Sequence, residues 1–172
     1  MANKFTVKKD LIEVSVDYLE NESGDIVVIR NQITKDRIKD KLKNVKAKFV
    51  RPTYQLFNAF MEGSLKTQEN GETHLDQVIF KSKKFQILLR EIEDHDGTKF
   101  PVTRELLNDI VPDLAIAFID EFDRKLDEER FEALKSAGAI PPELVGIAEN
   151  FLNNVWSNGE TVPENEDAKI SE

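Results

Sequence analysis

Between residues 106 and 126 the apolar side chains Leu106, Leu107, Ile110, Val111, Leu114, Phe118, Phe122 and Leu126 recur at intervals of three and four. At about 100° per residue they fall on one stripe of an α-helix, so this run predicts a helix buried along one side. Pro112 lies inside it. Proline has no amide proton and its ring clashes with the preceding turn, so a helix must start or bend there. The stretch 113–135 then reads as one long, acid-rich helix, with Asp113 placed to favour the positive end of the helix dipole. The rest of the chain has to cover the apolar stripe.

The N-terminal region has a different period. Ile12-Glu13-Val14-Ser15-Val16-Asp17-Tyr18-Leu19 alternates apolar with polar or charged residues, as a half-buried strand does. Asn21 to Asp25 supplies a turn around Gly24, and β-branched Ile26-Val27-Val28-Ile29 supplies the return strand. A lone hairpin is marginal in water and must pack on something. Thr34 to Asn44 predicts a surface helix with a thin stripe of Ile38, Leu42 and Val45. Val45 to Val50 alternates again and predicts a short third strand, broken by Arg51-Pro52.

An aromatic helix follows from Tyr54, ended by Gly63 and Ser64. Residues 64–74 read as an exposed loop. Leu75, Val78, Ile79, Phe85, Leu88, Leu89 and Ile92 predict a second apolar helix, and Asp96-Gly97 a turn. Pro141-Pro142 opens a last helix carrying Leu144, Ile147, Phe151, Leu152 and Val155. The expectation is an α+β fold that is predominantly helical. An N-terminal β-hairpin (1–33) precedes a bundle of about five helices (34–156) in a single domain 1–156, and a disordered acidic tail occupies 157–172.

The chain has no cysteine, which rules out a disulfide framework and thiolate metal sites. Its longest apolar stretch, Leu114 to Ile119, is six residues, far short of the roughly 20 that span a bilayer. The first ten residues lack an apolar leader core. A cytoplasmic protein with no membrane partner is expected. The net charge of −9 is unevenly laid out: residues 1–90 hold 17 Lys and Arg against 12 Asp and Glu, whereas residues 91–172 hold 7 against 21. Such asymmetry speaks to partners rather than to fold.

Reactive groups are sparse. His74 and His95 lie far apart in expected loops. If Gly97 were the sixth position of a calcium loop, the first and twelfth would be Ile92 and Thr103, and neither suits a site that wants carboxylates there. No phosphate-cradling glycine motif occurs. Acid pairs such as Asp120-Glu121 sit on an amphipathic helix, where a solvated face explains them. No enzyme, metal or cofactor is expected. The cluster of Phe49, Tyr54, Phe57 and Phe60 beside Lys46, Lys48 and Arg51 could stack on a nucleic-acid strand. Helical spacing accounts for the aromatics better, so nucleic acid is not the expected partner. Phe49, Arg51, Tyr54, Phe118 and Phe122 are the candidate contacts for a protein partner, Tyr and Arg being the residue types most often found at interface hot spots.

The order of elements from Val45 to about Glu129 resembles a known family. Phe49-Val50-Arg51-Pro52 opens an aromatic helix. After a polar loop come Leu88-Leu89-Arg90-Glu91-Ile92, the turn Asp94-His95-Asp96-Gly97, the segment Phe100 to Leu107, and an acidic helix. This is similar to the tail assembly chaperones of tailed bacteriophages. The resemblance implies a helical, acidic protein of the host cytoplasm with no active site. It also implies binding to the tape-measure and tail-tube proteins during virion assembly and, in some members, a longer frameshifted product. The alternative function is an acidic inhibitor or regulator that mimics nucleic acid and binds a host enzyme.

Overall fold

The alternation of residues 12–19 is the seed of a sheet larger than the hairpin expected. In the computed structural model, which describes residues 10–157 and their side chains through Leu152, β1 (Ile12–Glu20) buries Ile12, Val14, Val16 and Tyr18 and turns Glu13 and Ser15 outward. β2 (Ile26–Val28) returns antiparallel, with Tyr18 opposite Val28 and Glu20 opposite Ile26. The turn is held by Asn21, whose side-chain oxygen accepts the backbone N–H groups of Ser23 and Asp25, and by Gly24 at φ 86°.

The helix expected over 34–44 is cut short. α1 spans Gln32–Arg37, with Asn31 rather than Thr34 as its N-cap, and a single 3-10 turn follows at Lys39–Lys41. The chain then enters β3 (Lys43–Phe49). Val45, Ala47 and Phe49 all point into the core, and β3 pairs with β1 from Ile12–Phe49 to Tyr18–Lys43. Burying that alternating face outweighs the thin helical stripe of Ile38, Leu42 and Val45.

α2 (Tyr54–Met61) starts behind Pro52 and is capped by Thr53, whose hydroxyl accepts the Leu56 N–H. Residues 64–74 are more than a loop: β4 (Leu65–Thr67) and β5 (Thr73–Leu75) form a small hairpin. α3 (Gln77–Leu88) is capped by Asp76. After it come β6 (Leu89–Glu93), β7 (Lys99–Phe100) and α4 (Arg104–Asp109). α5 (Pro112–Ser136) carries Pro112 at its first turn, so the proline begins a new helix. α6 (Pro142–Ser157) is the last described element. The tail expected to be disordered lies, from residue 158 on, outside the described residues.

The helical-bundle expectation is therefore corrected. The described chain holds a five-stranded antiparallel sheet in the order β2-β1-β3-β6-β7, the separate two-stranded β4-β5 sheet, and six α-helices. The helix expected through Ile92 ends at Leu88, and Leu89 and Ile92 belong to a strand. β6 pairs with β3, and its register shifts between Lys48 and Phe49: Phe49 faces Leu89, yet Lys48 faces Glu91. Arg90 is the extra residue of a bulge. The bulge lets Leu89 and Ile92, three apart, both point into the core, and so gives a strand the spacing of a helix.

α5 lies across the sheet and buries Leu114, Ala115, Ala117, Phe118, Ile119 and Phe122. Phe49 is the hub, with its ring centroid 5.9 Å from Phe85, 6.2 Å from Phe118 and 5.3 Å from Phe122. The other sheet face is a lattice of charge: Lys48 lies between Glu91 at 2.8 Å and Glu13 at 3.9 Å, and Lys99 lies 3.1 Å from Glu91. Because β2 covers only the far end of β1, residues 12–16 lie at a sheet edge among the described residues. Lys125 reaches over from α5 and donates to the Glu13 carbonyl there at 2.6 Å, placing a charge where an added strand would otherwise pair.

Candidate functional site

Beside the core, α2, α3 and α5 leave a cleft of about 330 Å³ lined by Pro52, Phe57, Phe60, Phe80, Lys84, Asp123, Leu126, Asp127 and Arg130. Each helix brings it a row set by helical spacing. Phe57 and Phe60 come from α2 and sit edge to face at 5.4 Å; Phe60 and Phe80 do the same at 5.3 Å. Phe80 and Lys84 are one turn apart on α3, and Asp123, Leu126, Asp127 and Arg130 follow at three and four on α5.

The walls are apolar and the charges come in opposed pairs. Lys84 is buried, ion-paired with Asp123, and its ammonium lies 5.7 Å from the Phe80 ring centroid and 5.5 Å from that of Phe122. Burial pushes the Asp123 carboxyl above its ordinary value even though Lys84 pulls it down. At the open side Arg130 meets Asp127 at 3.1 Å and stays largely exposed. With its charges balanced, the cleft has the chemistry to take an apolar or aromatic side chain and to orient it with Arg130.

The five contacts nominated from sequence divide sharply. Phe49, Phe118 and Phe122 have no exposed surface, so they hold the fold together and do not contact a partner directly. Arg51 is nearly covered, its guanidinium 2.8 Å from Glu129 and 3.3 Å from Asp10. It latches the β3–α2 junction to α5, and those ion pairs hold its charge above the ordinary arginine range against a smaller opposing effect of burial. Tyr54 alone is open, at 83% exposure, one turn before half-exposed Phe57 on α2. Pro52, Phe80, Lys84, Asp123 and Arg130 were not nominated. Pro52 signals only the break after the third strand, and the other four signal no more than helical spacing, which core residues share.

The acidic row of α5 is not bare. Asp120 pairs with Arg30 at 2.7 Å and Lys81 at 2.6 Å, Glu121 and Glu128 with Arg124, and Asp123 with Lys84. Asp127 pairs with Arg130, Glu129 with Arg51 and Glu132 with Lys135. Every carboxylate from Asp120 to Glu132 thus has a cation beside it, several of them from the basic first half of the chain. On the basic side, Lys46, Lys48 and Arg51 are likewise held by Glu93, Glu91 and Asp10 with Glu129.

His95 and Asp94 belong to the β6–β7 turn. Asp94 accepts from the Tyr18 hydroxyl at 2.9 Å and from the His95 backbone N–H at 2.7 Å, and the His95 ring nitrogen lies 3.0 Å away. Burial raises the Tyr18 phenol above its ordinary range and the bond to Asp94 adds to that, so Tyr18 stays a neutral donor that pins the turn to β1. Neither His95 nor Asp94 lines the cleft. Among the described residues no group of three or more His, Asp or Glu is placed to hold a metal ion. None of the described helices is long and apolar enough to cross a membrane. No family model matches the chain, and neither a curated protein nor a solved structure matches it.

Proposed function

We propose that this chain acts without catalysis, by binding another protein through the α2–α3–α5 cleft. In this reading it is a tail assembly chaperone of a tailed bacteriophage that engages the tape-measure and tail-tube proteins in the host cytoplasm. The observation that carries protein binding is the open aromatic flank of the cleft. Tyr54 at 83% and Phe57 at 45% exposure stand beside a balanced, apolar recess that can receive one side chain of a partner. The resemblance over residues 45–129 supplies the class of partner, and the cysteine-free composition agrees with the compartment.

The runner-up, a nucleic-acid mimic, is not favoured by the surface. Such a mimic needs rows of unopposed carboxylates, and those of α5 from Asp120 to Glu132 are each opposed by a Lys or Arg. The test is coexpression of the full chain with the tape-measure protein encoded in the same genome. Wild type should copurify with it. Tyr54→Ala with Phe57→Ala should weaken the complex about thirty-fold, the equivalent of one hot spot of about 2 kcal/mol. Failure of the wild-type chain to copurify contradicts the chaperone reading, and a double variant that binds as well as wild type contradicts the cleft.

A further inference from the structure

We propose that α6 is a self-association helix, and that two copies of this chain pair antiparallel through Leu144, Ile147 and Phe151. These residues contribute nothing to the cleft lining, so the inference stands apart from the function proposed above.

α6 is apolar on two sides. Val145, Ala148 and Leu152 are partly covered, and Lys135 of α5 pairs with Glu149 at 2.7 Å on that side. The other row, Leu144, Ile147 and Phe151, is 47%, 66% and 67% exposed. The two rows together make a wide apolar sector, of a kind that is normally packed against something, yet from Glu128 to Ala139 the described residues are exposed apart from half-buried Phe131, so few of the described residues cover α6.

Charge selects the occupant. A third of this chain's residues are charged, yet α6 has no Lys or Arg and only Glu143 and Glu149 as acids, of which Glu149 is already paired. A strongly basic or acidic partner would find little to oppose it along the row. A second α6 matches it. With the two-fold axis midway between Ile147 and Ala148, Leu144 of one copy meets Phe151 of the other and the two Ile147 side chains lie beside it. The two Glu143 side chains then lie nine residues apart along the helix, about 13 Å at 1.5 Å per residue, beyond the ~8 Å over which salt leaves charges unscreened. Taking ~150–250 Å² for a large side chain, the row exposes roughly 350 Å² of apolar surface per copy. Two copies bury about 700 Å² of it, below the ~1,200 Å² of stable specific interfaces and in the range of weak, transient ones, so a dimer of micromolar or weaker affinity is expected.

The test is sedimentation velocity of the full chain from about 1 to 200 µM, a range that brackets micromolar dissociation constants. Wild type should pass from the 19.7 kDa monomer to twice that mass, and Ile147→Glu, at an exposed site, should stay monomeric with an unchanged circular dichroism spectrum. Because the chain has no cysteine, Ile147→Cys introduces one thiol, which should form a disulfide-linked dimer on mild oxidation, whereas Val78→Cys, exposed on α3, should not. A wild-type chain that stays monomeric across the range overturns the proposal and leaves α6 to a different protein. Equal dimerisation of Ile147→Glu, or equal cross-linking of Val78→Cys, overturns it as well.

Discussion

The two ends of α5 carry similar sequence patterns into opposite surroundings. Leu114, Phe118 and Phe122 recur at four and are fully or nearly fully buried between the sheet and α3. Beyond Glu128 the same helix leaves the sheet, Phe131 is half-covered, and Leu134 is 51% exposed. Periodicity fixes which side of a helix is apolar. What that side meets is decided by partner elements far away in sequence, here β1, α3 and Phe49 of β3. One end of α5 is therefore core, and the other is a platform carrying the cleft rim and α6.

The largest effect should come from the buried end. Phe118→Ala removes a ring packed against Phe49 and Phe85 and should cost about 3–5 kcal/mol in urea unfolding. The matching truncation at the far end, Leu134→Ala, should cost under about 0.5 kcal/mol. Equal losses at both sites would erase the distinction between the two ends.

The middle of α5 should give an intermediate response. Asp123→Ala leaves buried Lys84 without its ion-pair partner. Breaking a fully buried pair costs about 3–5 kcal/mol; with Asp123 itself 29% exposed, about 2 kcal/mol is expected. Replacing both partners, Lys84→Met with Asp123→Leu, should recover most of that loss. If the double variant is as unstable as the single one, the pair is more than a neutralised charge beneath the cleft.

Acid titration gives the smallest and most local signal. Asp123 binds its proton more readily folded than unfolded, so folding disfavours its charged form. That penalty is full at neutral pH and is relieved as pH falls through the raised folded value toward 3.8. Asp17 and Asp94 act the other way. Burial alone would raise them, but Lys35 and Asn44 hold Asp17 below 3.8, and His95 and Tyr18 do the same for Asp94. Their stabilisation is complete above 3.8 and is lost as pH drops through their lowered values. A carbon-detected NMR titration should place the Asp123 midpoint above 3.8 and those of Asp17 and Asp94 below it; the reverse order would contradict the buried setting of Asp123.

Much of this was legible in the chain. The β1–β2 hairpin, a strand over residues 45–50, the start of α2 behind Pro52 and the break at Pro112 follow from period and proline chemistry that act within a few residues. The sheet beyond that third strand was not legible. β6 disguises itself through its bulge at Arg90, and β4 and β5 are short and polar. The cleft was half legible. Tyr54 was nominated and is open, whereas Phe49, Phe118 and Phe122 shared its signal and proved to be core, since exposure depends on contacts across the fold. The charge split between the two halves suggested an external partner. Much of it is answered within the chain, where Arg30, Arg51, Lys81 and Lys84 face the acids of α5.

The most direct test of binding through the cleft combines two readings on one protein, Tyr54→Ala with Phe57→Ala: its urea unfolding midpoint and its copurification with the tape-measure protein. Exposed side chains that serve a partner rather than the core predict a stability within about 1 kcal/mol of wild type and a complex that is largely lost. A variant that unfolds several kcal/mol earlier, or one that keeps the complex intact, would contradict it.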